Sequence, residues 1–250
     1  MALLELQGVT KRFGGLLAVD NVSLAIGSGE SLSIVGPNGS GKTTLFNLIC
    51  GVYIPDEGNL VFDGHDITRL QPYHRAHLGI GRTFQIPRPF GTLTVRENVA
   101  VGAMFGTQQN QEKVDGALKT ADERLKLVGF HEHRNRLARE LTPVEMKMME
   151  IARALAMNPK LLLLDESMAG MPPKEIDALV EFLKDIKKKE GIAVIAMVEH
   201  IMRAVVNFAE RVIVLNQGKK MLEAPTAQAL SDPRVIDIYL GREAEESTAC

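Results

Sequence analysis

The sequence predicts an α/β protein built on a doubly wound, mainly parallel sheet, and three observations predict it. The apolar run Ser31 to Val35 passes through a Gly-rich turn into a helical stretch at Thr44 to Cys50. Two further strand-sized apolar runs, Lys160 to Glu166 and Ile192 to Val198, each lead into polar residues: Asp165-Glu166 in one case and Glu199-His200 in the other. Helical stretches separate these runs, the alternation that makes parallel sheets with crossover helices.

Taken in order, Leu3 to Val9 and Val22 to Ile26 alternate as strands, with Thr10 to Gly15 expected as a turn carrying one aromatic, Phe13. Leu32 to Val35 is the buried strand before the Gly-rich turn, and Gly58 to Asp63 is a short strand after Pro55-Asp56-Glu57. Arg75 to Gln85 leads into Arg82-Thr83-Phe84-Gln85, after which Pro87 and Pro89 break regular structure. Three helices follow, Val95 to Met104, Glu112 to Val128 and Glu145 to Met157, with Thr107 to Gln111 as a polar loop between the first two. Pro173 to Glu190 reads as an amphipathic helix opened by proline, and Ile201 to Phe208 as another. Arg211 to Leu215 and Lys219 to Glu223 are strands joined through Gly218, and two short helices reach Tyr239 before an acidic tail from Glu243.

A chain of 250 residues can bury a sizeable core, and with 5% aromatic residues and no Trp that core is aliphatic. The net charge of −2 gives no electrostatic case for a nucleic-acid binder. No apolar run reaches the roughly 18 residues that suggest a membrane span. The start Met-Ala-Leu-Leu-Glu carries no basic-then-apolar export pattern, and two cysteines, Cys50 and Cys250, make no disulfide framework, so a cytoplasmic protein is expected.

The chemistry starts at Gly36-Pro37-Asn38-Gly39-Ser40-Gly41-Lys42-Thr43, which fits G-x-x-x-x-G-K-[ST], the phosphate-binding P-loop. Backbone N–H groups and the positive end of a helix surround phosphate oxygens, Lys42 reaches the β- and γ-phosphates, and the Thr43 hydroxyl binds Mg²⁺. In an open parallel sheet the site lies beyond the carboxyl ends of the strands, where Asp165, Glu166 and His200 also fall. Asp165 suits a magnesium-holding aspartate, Glu166 a group that polarises attacking water, and His200 a contact to the γ-phosphate. His131 and His133 lack a third ligand and read as solvated loop residues. Lys187 to Lys189 reads as a solvated helix end, and Met146, Met148 and Met149 as a packing face.

These motifs, in this order and spacing, make the chain similar to the ATP-binding subunits of ABC transporters over Leu3 to Gly241. The resemblance implies a P-loop NTPase core with an antiparallel β lobe (residues 1–93 and 158–241), a helical subdomain (94–157) and a flexible tail (242–250). It implies ATP and Mg²⁺ as cofactors. The implied nucleotide set is Phe13, Gly36, Pro37, Asn38, Gly39, Ser40, Gly41, Lys42, Thr43, Thr44 and Gln85, with Thr43, Gln85 and Asp165 at the metal. Glu166 falls at the catalytic-base position, with Lys42 and His200 beside it, and Phe13 falls where the family stacks an aromatic on adenine; a buried core role is the alternative for Phe13.

Lys11 to Gly15, Leu78 to Gln85, Val198-Glu199-His200 and the ending Asp232 to Gly241 are similar to branched-chain amino-acid importers. That resemblance implies two permease subunits, a second ATP-binding subunit and an extracytoplasmic binding protein, with this chain peripheral on the cytoplasmic face of the membrane. Urea or lipopolysaccharide transport, or a soluble ABC ATPase acting on ribosomes or DNA, are the alternatives. The chain departs from the family at its signature motif, usually Leu-Ser-Gly-Gly-Gln. Here Leu141 is followed by Thr142, Pro143, Val144 and Glu145. Pro143 lacks an N–H, Val144 adds bulk, and Glu145 is expected to set a negative charge against a partner's γ-phosphate, which favours a heterodimer over a homodimer. The run Met168-Ala169-Gly170-Met171 is likewise followed by Pro172, where the family carries Asp or Asn.

Overall fold

The strand entering the Gly-rich turn, β3 (Ser31–Val35), is buried at every position and sits in the middle of a six-stranded sheet. The computed structural model describes residues 2–107, 113–197 and 202–237. His200, most of the loop after Thr107 and the tail from Glu243 fall outside the described residues.

Two sheets make the frame. The first is antiparallel, in the order β2 (Leu16–Gly27), β1 (Ala2–Phe13), β4 (Glu57–Phe62) and β5 (His65–Asp66). The second runs β10 (Lys219–Pro225), β9 (Arg211–Asn216), β3, β8 (Ala193–Met197), β7 (Leu161–Asp165) and β6 (Ile80–Arg82). Its strands are parallel except at the β10 edge, which pairs antiparallel with β9.

The central strands are apolar on both faces because both faces are covered. On β7, Leu161 and Leu163 join the core shared with the antiparallel sheet, while Leu162 and Leu164 join the core under the helices. β9 divides in the same way, Ile213 and Leu215 to one side and Val212 and Val214 to the other. Each such leucine or isoleucine contributes about 1.5–3 kcal/mol of burial. Helix α1 (Lys42–Cys50) fills the first core with Leu45, Phe46, Leu48 and Ile49. Helices α3 (Val95–Phe105), α4 (Val114–Leu127) and α5 (Pro143–Ala156) pack on one another and share the second core with α6 (Pro173–Glu190). Short helix α8 (Thr226–Ser231) flanks the β9–β10 edge, and α7 (Met202–Phe208) packs on α6, α8 and β3.

Several elements differ from the sequence expectation. β1 runs on through Phe13, and the turn shrinks to Gly14-Gly15. Lys11 and Arg12 look like turn residues, yet they are held in the strand by Asp56 (3.0 Å) and Glu57 (2.7 Å) from the approach to β4. Helix α2 (Pro72–Leu78) and strand β6 were not expected. α2 carries Arg75, which is fully buried and donates to the carbonyl oxygens of Leu48, Ile49, Thr68 and Leu70, closing the C-terminus of α1. α5 begins at Pro143, two residues before the expected start, because Thr142 caps it. His131 and His133 are half-buried and contact Arg134 and Arg136 rather than being solvated. Lys187 pairs with Glu210, leaving only Lys188 and Lys189 as an exposed helix end.

Candidate functional site

The loop between β3 and α1 folds around its own backbone. Gly36, at φ 152°, has no room for a side chain: a Cβ there would collide with the carbonyl oxygen of Leu215. Gly41, at φ 102°, is equally confined by the carbonyl oxygen of Ala18 and serves as the N-cap of α1 without a side-chain cap. The first turn of α1 holds no acidic residue, so its N–H groups and positive dipole end are offered to an external anion. The loop is braced from outside by the β9–β10 turn, where Gly218 N–H donates to the Ser40 carbonyl at 3.0 Å. Lys42 is 3% exposed and donates through Nζ to the carbonyl oxygens of Gly36 (2.7 Å) and Pro37 (2.9 Å). Its ammonium is thereby held over the concave side of the loop.

A cavity of about 400 Å³ opens beside this loop, lined by Gly39 to Thr44 on one side and Phe13, Leu16, Leu17, Ala18 and Gln217 on the other. Phe13 is 41% exposed, which removes the buried-core alternative for it. Its ring meets Tyr53 edge-on at 5.0 Å, leaving a flat apolar surface suited to a planar base.

Asp165 ends β7, fully in the interior, and accepts from Arg82 Nη2 at 2.6 Å. Thr83 braces this strand end: its hydroxyl accepts from Asp165 N–H at 3.2 Å and meets Ser167 Oγ at 2.6 Å. Glu166 follows with φ 47°, a left-handed conformation unusual for a side chain of this size. Two groups hold it there. Gln85 Nε2 donates to Glu166 Oε2 at 2.7 Å, and Lys147 on α5 donates to the carbonyl oxygens of Glu166 (3.1 Å) and Ala169 (2.5 Å). Burial pushes the Lys147 ammonium down from its ordinary value. Gln85 is thus engaged with Glu166 rather than with Thr43 or Asp165.

The donors available to a metal are hard oxygens: the Thr43 hydroxyl at the start of α1 and the Asp165 carboxylate. Among the described residues no cluster of three His, Cys, Asp or Glu side chains forms a metal cage of protein groups alone. Such a set fits a magnesium ion that keeps water and phosphate oxygens as its other ligands.

The start of α5 is built differently from the start of α1. Thr142 Oγ1 accepts from Glu145 N–H at 3.3 Å, and Glu145 Oε2 accepts from Thr142 N–H at 2.7 Å, a reciprocal capping box. Arg136 Nη1 donates to Glu145 Oε1 at 2.7 Å. The Thr142 backbone N–H, with Arg136 adding to it, holds the Glu145 carboxyl down at about 2. The Glu145 carboxylate is therefore partnered within the chain by the Thr142 N–H and Arg136.

The family model described as ABC transporter matches residues 19–169. This chain belongs to the ABC transporter family. Among ABC relatives, the high-affinity branched-chain amino acid transport ATP-binding protein BraF of Pseudomonas aeruginosa is 35% identical, covering 96% of this chain and 98% of that protein. The probable branched-chain amino acid transport ATP-binding protein LivG of Methanocaldococcus jannaschii is 36% identical, covering 96% and 98%. Among solved structures, an ABC transporter ATP-binding cassette in its ADP conformation matches with a TM-score of 0.86 at 34% identity, over 96% of this chain and 99% of that one. A nucleotide-free ABC cassette matches with a TM-score of 0.85 at 32% identity. In fold, this chain is an ABC ATPase cassette.

Sequence reading missed three polar residues that shape the site: Arg82, Lys147 and Glu150. Lys147 and Glu150 lie three apart on α5 and so share a face. Glu150 is 2% exposed and accepts from the backbone N–H groups of Phe84 and Arg88, anchoring the segment around Gln85. A charged pair at that spacing inside an apolar helix was the available signal.

Proposed function

We propose that this chain binds and hydrolyses ATP as the motor subunit of an importer for branched-chain or related amino acids. The observation that carries the nucleotide reading is the loop Gly36 to Thr43, an uncapped helix N-terminus with Lys42 held over it, opening into the Phe13 cavity. Lys42 and the loop N–H groups bind the phosphates, Phe13 covers the base, and Thr43 and Asp165 take Mg²⁺, which supplies charge neutralisation at the phosphates. Glu166, oriented by Gln85, takes the proton of the attacking water. The cargo class follows the full-length similarity to BraF and LivG, whose names assign them branched-chain amino acids.

ABC ATP-binding subunits of import systems work with membrane permease subunits. No helix among the described residues is long and apolar enough to cross a membrane, which agrees with a peripheral subunit held by such a partner. The segment Gln85 to Leu93 borders an apolar groove of about 340 Å³ lined by Phe84, Arg88, Phe90, Phe105 and Arg153, the surface we assign to a permease loop. The second ATP-binding subunit is a paralogue rather than a second copy. In a head-to-tail pair each nucleotide meets the partner's signature, and here Thr142 and Glu145 spend their polar groups on each other while Pro143 has no N–H to give. The site closed by a partner's ordinary signature is then the productive one.

The experiment is to disable one catalytic glutamate at a time in the reconstituted complex. Glu166→Gln should remove most ATP turnover while keeping ATP binding, and the partner's equivalent change should remove little. Equal losses, or full activity of a homodimer of this chain, overturn the asymmetry; parental turnover in Glu166→Gln overturns the role of Glu166.

A further inference from the structure

Arg82 touches both the metal donor Asp165 and the apolar groove. It ends β6 with its side chain only 9% exposed. One arm of the guanidinium, Nη2, donates to Asp165 Oδ2 at 2.6 Å, and the other, Nη1, donates to Asn47 Oδ1 at 2.7 Å. Asn47 lies four residues after Thr43 on α1, so the two share one face of the helix. The guanidinium therefore ties together the two elements that supply Thr43 and Asp165.

Its flat surface is covered by aromatic rings, with its carbon 5.2 Å from the centroid of Phe84 and 5.9 Å from that of Phe46. Phe84 in turn carries the Arg88 guanidinium at 5.2 Å, and Phe84, Arg88 and Arg82 itself line the groove. A group entering that groove presses on the ring that holds Arg82 in place.

We propose that Arg82 is a positioning residue for the magnesium site: it fixes the orientation of the Asp165 carboxylate, and it passes occupancy of the Phe84 groove to that carboxylate. This rests on the nucleotide reading above. The planar fork of arginine holds two acceptors at a set spacing, which the single ammonium of lysine does not reproduce. Hydrogen-bonded partners behind a metal ligand commonly set metal affinity by about 10–100-fold.

The test uses the full-length chain and a fluorescent ATP analogue, titrated in EDTA and across Mg²⁺ concentrations, with thermal melting alongside. Arg82→Lys is expected to leave binding in EDTA within about twofold and to raise the Mg²⁺ concentration needed for half effect by about tenfold or more. Asn47→Leu, which removes the second anchor while leaving the Arg82–Asp165 pair, should shift the Mg²⁺ requirement in the same direction by less, and it decides the matter if Arg82→Lys does not fold. Phe84→Ala should also change the Mg²⁺ requirement. Equal weakening with and without Mg²⁺, or an unchanged Mg²⁺ requirement, overturns the positioning role. A shift in Arg82→Lys with none in Phe84→Ala overturns the link to the groove. A parent chain that binds the analogue under neither condition overturns the nucleotide reading itself.

Discussion

Removing Glu145 tests whether the start of α5 satisfies its own backbone. The carboxylate accepts the Thr142 N–H at 2.7 Å, receives Arg136 at 2.7 Å, and sits three residues after the hydroxyl that caps its own N–H. These contacts lower its pKa from 4.5 to about 2, which converts to roughly 3 kcal/mol at about 1.4 kcal/mol per unit. Independent bookkeeping gives about 1 kcal/mol for the cap and up to about 1 kcal/mol for a part-exposed ion pair. The side chain is 22% exposed, so solvent screening favours the smaller sum, about 2 kcal/mol. Because the folded value lies below the unfolded one, this stabilisation is fully present above about pH 4.5 and is lost as the pH falls toward about 2. Urea denaturation of Glu145→Ala should show a loss of about 2 kcal/mol at neutral pH, narrowing steadily between about pH 5 and pH 3. Glu145→Gln keeps an acceptor for Thr142 and loses the charge, so it should fall between the two and show no such narrowing. A gap between parent and Glu145→Ala that stays constant over this pH range would refute the capping-box account.

Three further outcomes follow from the same contacts. Lys42→Ala removes the ammonium held by Gly36 and Pro37, and it should cost ATP turnover at least about 2–3 kcal/mol of transition-state stabilisation, read as a hundredfold loss or more; unchanged turnover refutes the phosphate site. Lys147→Met frees the carbonyl oxygens of Glu166 and Ala169 and should lower kcat about tenfold or more with KM little changed, because Glu166 leaves its strained backbone setting, which costs about 1 kcal/mol or more to hold; Lys147→Arg should recover part of the loss, and an unaffected kcat counts against the idea. Arg75→Met leaves four carbonyl acceptors, three of them buried, with a lost partner and should destabilise the fold by about 3 kcal/mol or more; a melting temperature within error of the parent refutes the closing role of Arg75 on α1.

The parts of this molecule that the sequence made legible are those where one residue's own physics decides. Gly36 and Gly41 sit where no side chain fits, β7 is leucine on both faces because both are covered, and α6 starts at Pro173 and stops before Gly191 at φ 67°. The parts that stayed hidden depend on partners distant in the chain. Lys11 and Arg12 extend a strand because Asp56 and Glu57 meet them, and Arg75 is interior because α1 ends beside it. Arg82 reads as one basic residue before Gln85 until Asn47 and Asp165 are seen to share it. The start of α5 is an intermediate case. Thr142-x-x-Glu145 is a local capping signal, present in the sequence, and it closes this helix start on itself. Two roles compete for the same atoms. A helix N-terminus can offer its amides and hydroxyl to an external anion, as α1 does with Gly41 at its cap, or it can close them with its own carboxylate, as α5 does with Glu145. One chain thus holds both arrangements, an α1 start left open to an anion and an α5 start closed on itself.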